Sequence, residues 1–174
     1  MQRLFLTSTA LALMLGCPKK QINTGGTGYG FETKRIYTVA VFPLYISGSI
    51  ALDEVQRDSA YSYLSSCLIT TGRFDLLDQD SAGHAVHPQG AGPGEALSPE
   101  KARQLGKDLG ADVVCLTEVT VKQAAPPIVQ AKVDIFPVSG TSPSYTGSGQ
   151  AKDPASLLAA AKLALDSATA KIVK

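Results

Sequence analysis

Five residues carry most of the chain's capacity for covalent or ligand chemistry: the cysteines Cys17, Cys67 and Cys115 and the histidines His84 and His87. A thiol can be acylated, oxidised to a disulfide or bound to a metal. The two imidazoles, with Asp78 and Asp80 just upstream, could offer nitrogen and carboxylate donors to a metal or a base to a hydrolase. Their spacing is not that of structural zinc, which takes four well-spaced ligands, and the surrounding glycines and prolines also read as a solvated loop. Cys67 and Cys115 could pair in an oxidising compartment, or sit apart as two small buried hydrophobes. No nucleophile elbow, P-loop, dinucleotide fingerprint or HExxH sequence occurs, and Gly25-Gly26-Thr27-Gly28 precedes the first apolar strand, whereas a phosphate cradle follows one. Serines and aspartates are plentiful, yet no spacing joins them to either histidine as a triad. The expectation is a chain with no catalytic residue, no metal and no cofactor.

Cys17 stands apart because of what precedes it. Met1 to Arg3 give a short basic start, residues 4–16 (LFLTSTALALMLG) carry no charge, and polarity begins immediately with Pro18-Lys19-Lys20. Spanning ~30 Å of hydrocarbon takes roughly 20 apolar residues, so this run has the length of a signal-peptide core instead of a permanent span. Leu13-Met14-Leu15-Gly16-Cys17 resembles a bacterial lipobox, with Gly16 and Cys17 matching and Met14 and Leu15 departing from the commonest residues. That resemblance implies a diacylglyceryl group on the Cys17 thiol, cleavage before it, and acylation of the freed amine. More than one acyl chain matters because a single chain anchors only marginally. Ordinary secretory cleavage after Ala10-Leu11-Ala12 is the alternative; it would leave Leu13-Met14-Leu15 at the new terminus. Pro18 supplies no aspartate after the cysteine, which favours the outer membrane, facing the periplasm, over inner-membrane retention.

The elements that must hold these residues follow from composition. Charge is nearly balanced, with 16 basic and 15 acidic residues, and removing Arg3 with the signal makes it even. No block of like charge occurs, so nucleic acid is a poor partner. Residues 17–34 are polar and glycine-rich without a hydrophobic period, and read as the lipidated cysteine and a flexible tether with an r.m.s. span of roughly 20–25 Å. Residues 1–16 are then the signal peptide. Residues 35–174 have the size of one domain with a single core.

Within that domain residues 36–44 (IYTVAVFPL) predict a buried central strand, interrupted as a donor at Pro43. Val55, Ala60, Leu64, Cys67 and Leu68 give residues 53–71 a helical stripe, with Gly72 as its stop. A short strand at 74–77 precedes a loop over 79–97. Ser98-Pro99-Glu100 opens a helix that ends at Leu109-Gly110. Residues 112–122 are a β-branched strand, and Pro126-Pro127 separates it from an alternating strand at 128–138 with one wet face. A weak strand at 145–151 leads to Asp153-Pro154 as the start of a last helix, striped by Leu157, Leu158, Ala161, Leu165, Ala168 and Ile172. The order predicts an α/β domain with a mixed β-sheet packed by about three helices, parallel among the early strands and antiparallel among the later ones.

Three segments carry a family resemblance: Val39-Ala40-Val41-Phe42-Pro43-Leu44, Thr71-Gly72-Arg73-Phe74-Asp75-Leu76-Leu77-Asp78, and Leu109-Gly110-Ala111-Asp112-Val113-Val114 leading to Glu118-Val119-Thr120. They resemble an envelope group that includes the curli secretion lipoprotein CsgG, the TolB amino-terminal domain and LpoB-type activators of peptidoglycan synthases. The resemblance implies a fold similar to the anticodon-binding domain and action by binding envelope proteins. No counterpart of the curli pore's long hairpins is present. The functional expectation is a non-enzymatic protein-binding or assembly module, membrane-anchored through lipid, with an envelope protein as partner and self-association possible. Activation of a peptidoglycan synthase, and a small envelope hydrolase built on His84 and His87, are the alternatives.

Overall fold

The computed structural model describes the backbone of residues 23–28 and residues 31, 35–48, 50–78, 96–140, 142–153 and 156–172. Its element order is β1 (Asn23–Gly28), β2 (Tyr37–Val41), β3 (Tyr45–Gly48), α1 (Glu54–Thr70), β4 (Phe74–Leu76), α2 (Pro99–Asp108), β5 (Val113–Ala124), β6 (Pro127–Pro137), β7 (Tyr145–Lys152) and α3 (Leu157–Thr169). One seven-stranded sheet runs β1-β7-β6-β5-β2-β4, with β3 also paired to β5. The pairs β2–β4, β2–β5 and β3–β5 are parallel, and β5–β6, β6–β7 and β7–β1 are antiparallel. This is the mixed sheet with three helices that the sequence predicts.

The unbroken apolar run at the start of the domain is explained by burial on both faces. Val39 and Val41 join the main core with Leu64 and Leu68 of α1 and Leu165 of α3, whereas Ala40 and Phe42 point the other way, onto Ala102 and Leu105 of α2. Strand neighbours alternate faces, so a strand covered on both sides has no polar positions. The run is not one strand, however. Phe42-Pro43-Leu44 breaks it, and the chain resumes as β3 along the far half of β5, so that Ser47 and Gly48 are strand residues.

Helix α1 begins at Asp53, whose carboxylate accepts from the Gln56 amide at 2.8 Å while Gln56 accepts from the Asp53 amide at 3.1 Å. This reciprocal cap satisfies two otherwise orphaned donors. Its buried face is Ala60, Tyr61, Leu64 and Leu68. Val55 was expected on that face, but it is 78% exposed. It precedes Leu64 by nine residues, half a turn out of phase at ~100° per residue. Gly72 and Gly110 end the first two helices at φ 66° and 76°, the left-handed conformation that a Cβ disfavours.

Helix α3 packs unusually close to the sheet. A Cβ at Gly147 would lie 1.9 Å from the Ala168 carbonyl, and one at Gly149 would lie 2.2 Å from that of Ala164. Two glycines on β7 facing an alanine stripe (Ala160, Ala161, Ala164, Ala168) let the backbones approach, and Tyr145 seals the contact by donating its hydroxyl to the Ala168 carbonyl. Ser156 caps this helix by accepting from the Ala159 amide at 3.0 Å. Asp153, the expected cap, is buried at the end of β7, where its amide donates to the Pro127 carbonyl.

Six residues of the expected tether depart from expectation. Asn23–Gly28 pair with β7 as an antiparallel edge strand, from Asn23 opposite Gln150 to Gly28 opposite Tyr145. Backbone pairing needs no apolar alternation, which is why this strand has no hydrophobic signature.

Candidate interaction face

The two faces of β5, β6 and β7 differ completely. Val113, Cys115, Val119, Val129, Val133 and Ile135 lie under α1 and α3 with essentially no exposure. On the opposite face α2 covers only the end around Val114 and Phe136, and beyond it the alternate residues are partly or fully exposed. Register aligns them in rows across the sheet. Leu116, Asp134 and Thr146 form one row; Tyr45, Glu118, Lys132 and Ser148 the next; Ser47, Thr120, Gln130 and Gln150 a third.

The chemistry of this face is neutral and hydrogen-bonding. The Ser47 hydroxyl donates to Glu118 Oε1 at 2.9 Å and lies 2.8 Å from the Thr120 hydroxyl. Lys132 Nζ donates to Asp134 Oδ2 at 2.7 Å. Asp134 Oδ1 is buried without a hydrogen-bond partner. Such a carboxylate oxygen is costly to leave unmatched. Glu118 and Lys132 stand opposite in register and Lys132 pairs with Asp134, so the face has no strong sign and suits a polar surface better than a polyion.

A concavity of about 380 Å³ lies at the carboxyl ends of β2 and β4, lined by Val41, Tyr61, Ser62, Ser65, Leu76, Leu77 and Asp78. Its groups are poor reagents. The Tyr61 hydroxyl donates to the Val41 carbonyl at 2.9 Å, and burial, reinforced by Cys115, pushes its pKa up to about 12. His84 and His87, with Asp80, lie outside the described residues. Among the described residues no group of three His, Cys, Asp or Glu side chains is arranged to hold a metal ion.

The thiols are separate. Cys67 and Cys115 are both free, Cys67 half-buried on α1 and Cys115 fully buried on β5. Burial pushes the Cys115 thiol up to about 12 and raises that of Cys67 as well, so neither is a thiolate nucleophile at neutral pH. Cys17 lies outside the described residues. No helix among the described residues is long and apolar enough to cross a membrane.

This architecture, a mixed sheet with helices crowding one face and a single helix on the other, is a fold found in several solved bacterial structures. No protein-family model matches the chain, and no curated protein matches it. Among solved structures it is similar to the PelC dodecamer from Paraburkholderia phytofirmans, at 17% identity and TM-score 0.55 over 88% of this chain and 95% of that one. It is similar to E. coli LpoB, at 18% identity and TM-score 0.56 over 68% of this chain and 58% of that one. Lipoprotein GNA1162 from Neisseria meningitidis aligns at 15% identity and TM-score 0.50 over 68% of this chain and 81% of that one. At these identities the likeness is one of fold, and the fold is LpoB-like.

Strand alternation in residues 128–138 makes one wet face legible from sequence. The rows themselves, and the part played by Ser47, depend on strand register and on β3, which no local pattern announces.

Proposed function

We propose that this chain is a lipid-anchored envelope module that binds proteins through the open polar face of its sheet and performs no catalysis. The observation that carries this reading is the face itself: three aligned rows of hydroxyl, amide and paired charged groups, on strands whose other side is fixed by a dry core. The lipobox-like sequence ending at Cys17 supplies the anchor, and residues 17–22 the link from lipid to sheet. The LpoB-like fold supports an envelope setting, and Pro18 favours delivery to the outer membrane.

Intact mass of membrane-extracted protein beside a Cys17→Ala variant tests the anchor. The expected wild type begins at an acylated Cys17, while the variant is unprocessed or soluble; an unacylated wild type would overturn the anchored reading. Stimulation of a peptidoglycan synthase is a narrower form of the same reading. It requires that purified protein raise polymerisation rate and that open-face substitutions abolish the effect.

Self-assembly is favoured by one specific comparison. The similarity to PelC, a dodecamer, covers nearly the whole of both chains. The native mass of the detergent-extracted protein decides it: a multiple of the chain mass supports assembly, and a monomer leaves a different protein as the partner.

A further inference from the structure

The edge strand β1 fixes where the anchor leaves the domain, and that end of the molecule carries an unusual tip. Asn23 stands level with Gln150 and, through it, with Gln130. Because β1 is antiparallel to β7, its amino-terminal residue Asn23 lies at the end of β7 that ends in Lys152, the same end of the sheet at which β5 turns into β6. Six residue steps separate Cys17 from Asn23, and they can span at most roughly 20 Å. The hairpin projects past the Asn23 level by three residues, Gln130 to Pro127, or about 10 Å.

A lipid on Cys17 would therefore sit within reach of the tip. The tip is Gln123-Ala124-Ala125-Pro126-Pro127-Ile128, with residues 123–126 exposed and no ionisable group. Exposed Lys122 adjoins it, and exposed Lys152 pairs in register with Ile128. From Val119 to Val133 the hairpin contains no acid, and Asp153, the nearest acid on β7's side, is buried. An uncharged tip flanked by lysines is the composition that settles at a headgroup layer, with ammonium groups toward anionic lipid.

We infer that the β5–β6 hairpin tip rests on the membrane that holds the anchor, with Lys122 and Lys152 meeting anionic phospholipid headgroups, so that the domain has a fixed orientation on the bilayer. This rests on acylation at Cys17. The opposite end of the sheet, at the β6–β7 turn, would then face away from the lipid.

The test uses acylated full-length protein in vesicles of phosphatidylethanolamine with phosphatidylglycerol as a quarter of the lipid. Ala125→Cys and Ser139→Cys, each with Cys67→Ala, are labelled with an environment-sensitive fluorophore, and quenching by spin-labelled lipid is read. The expected result is blue-shifted emission at 125 with quenching several-fold greater than at 139. Lys122→Glu with Lys152→Glu should reduce that quenching; no change would overturn the role of the lysines. Protein that carries acyl chains and floats with vesicles, yet is quenched equally at 125 and 139, overturns the orientation alone. A blue shift at 125 without lipid quenching indicates burial against protein and also overturns it. Protein that is unacylated and fails to float overturns the anchored reading and this inference with it.

Discussion

The two faces of the same three strands are built for different ends. Under α1 and α3 the positions are buried and mostly small or branched apolar residues, Thr117 and Tyr145 being the exceptions, and β7 gives up its side chains at Gly147 and Gly149 so that α3 can touch backbone. On the other side the same strands present Thr120, Gln130, Lys132, Ser148 and Gln150. Period-two alternation lets one strand serve both ends, since a change on one face leaves the other untouched. Stability is thereby concentrated on the covered face and recognition is left to the open one.

The sharpest way to break this contrast is to fill the close approach. Gly149→Val places side-chain atoms into the Ala164 carbonyl and Ser167, and because backbone must move it should destabilise the fold by about 3 kcal/mol or more. Thermal melting should show a fall of roughly 10 °C. A melting temperature unchanged from wild type would mean that α3 does not pack as described. Leu64→Ala, on a fully buried position of α1, should destabilise by about 2–5 kcal/mol in denaturant titration.

Alkaline pH probes the covered face without mutation. Burial raises Cys115 from 9.0 to about 12 and Tyr61 from 10.0 to about 12. The unfolded chain loses these protons at lower pH than the folded one, so between about pH 9 and 12 the folded state binds more protons and stability falls as pH rises. The slope for one buried thiol is on the order of 1 kcal/mol per pH unit. Cys115→Ala should flatten the lower part of that decline, measured as denaturation midpoint against pH. An unaltered slope would remove the thiol from the account. At neutral pH a thiol reagent should modify Cys67 slowly and Cys115 only on unfolding.

On the open face the expected stability effects are the smallest. Gln130→Ala and Ser148→Ala should each stay within about 0.5 kcal/mol of wild type, as surface substitutions do. A larger loss would show that the open rows help to hold the fold.

The sequence makes the covered face far more legible than the open one. The apolar run around Val39, the helix of Leu64 and Leu68, and the stops at Gly72 and Gly110 are all local patterns, and all three helices are announced by apolar stripes or by capping residues. Apart from Val55, which is out of helical phase with the buried face, misreadings fall where a nonlocal contact decides. β1 has no hydrophobic signal because its existence depends on the free edge of β7. Pro43 splits one apolar run in two because β3 finds the far half of β5. Asp153 yields the capping role to Ser156 because the chain at Asp153 is still bonded to Pro127. The open face suffers most from this, since Ser47, Glu118 and Thr120 become neighbours only through the pairing of β3 with β5.

The division of labour between the faces is tested most directly by photo-crosslinking in the intact envelope. A photoreactive phenylalanine analogue at Gln130 or Ser148 on the open face is compared with one at Ser66 or Thr70, exposed positions on α1. The account predicts protein adducts of defined mass from Gln130 and Ser148 and none from Ser66 and Thr70, with wild-type melting temperatures throughout. Adducts from α1 alone, or equally from both sides, would contradict it.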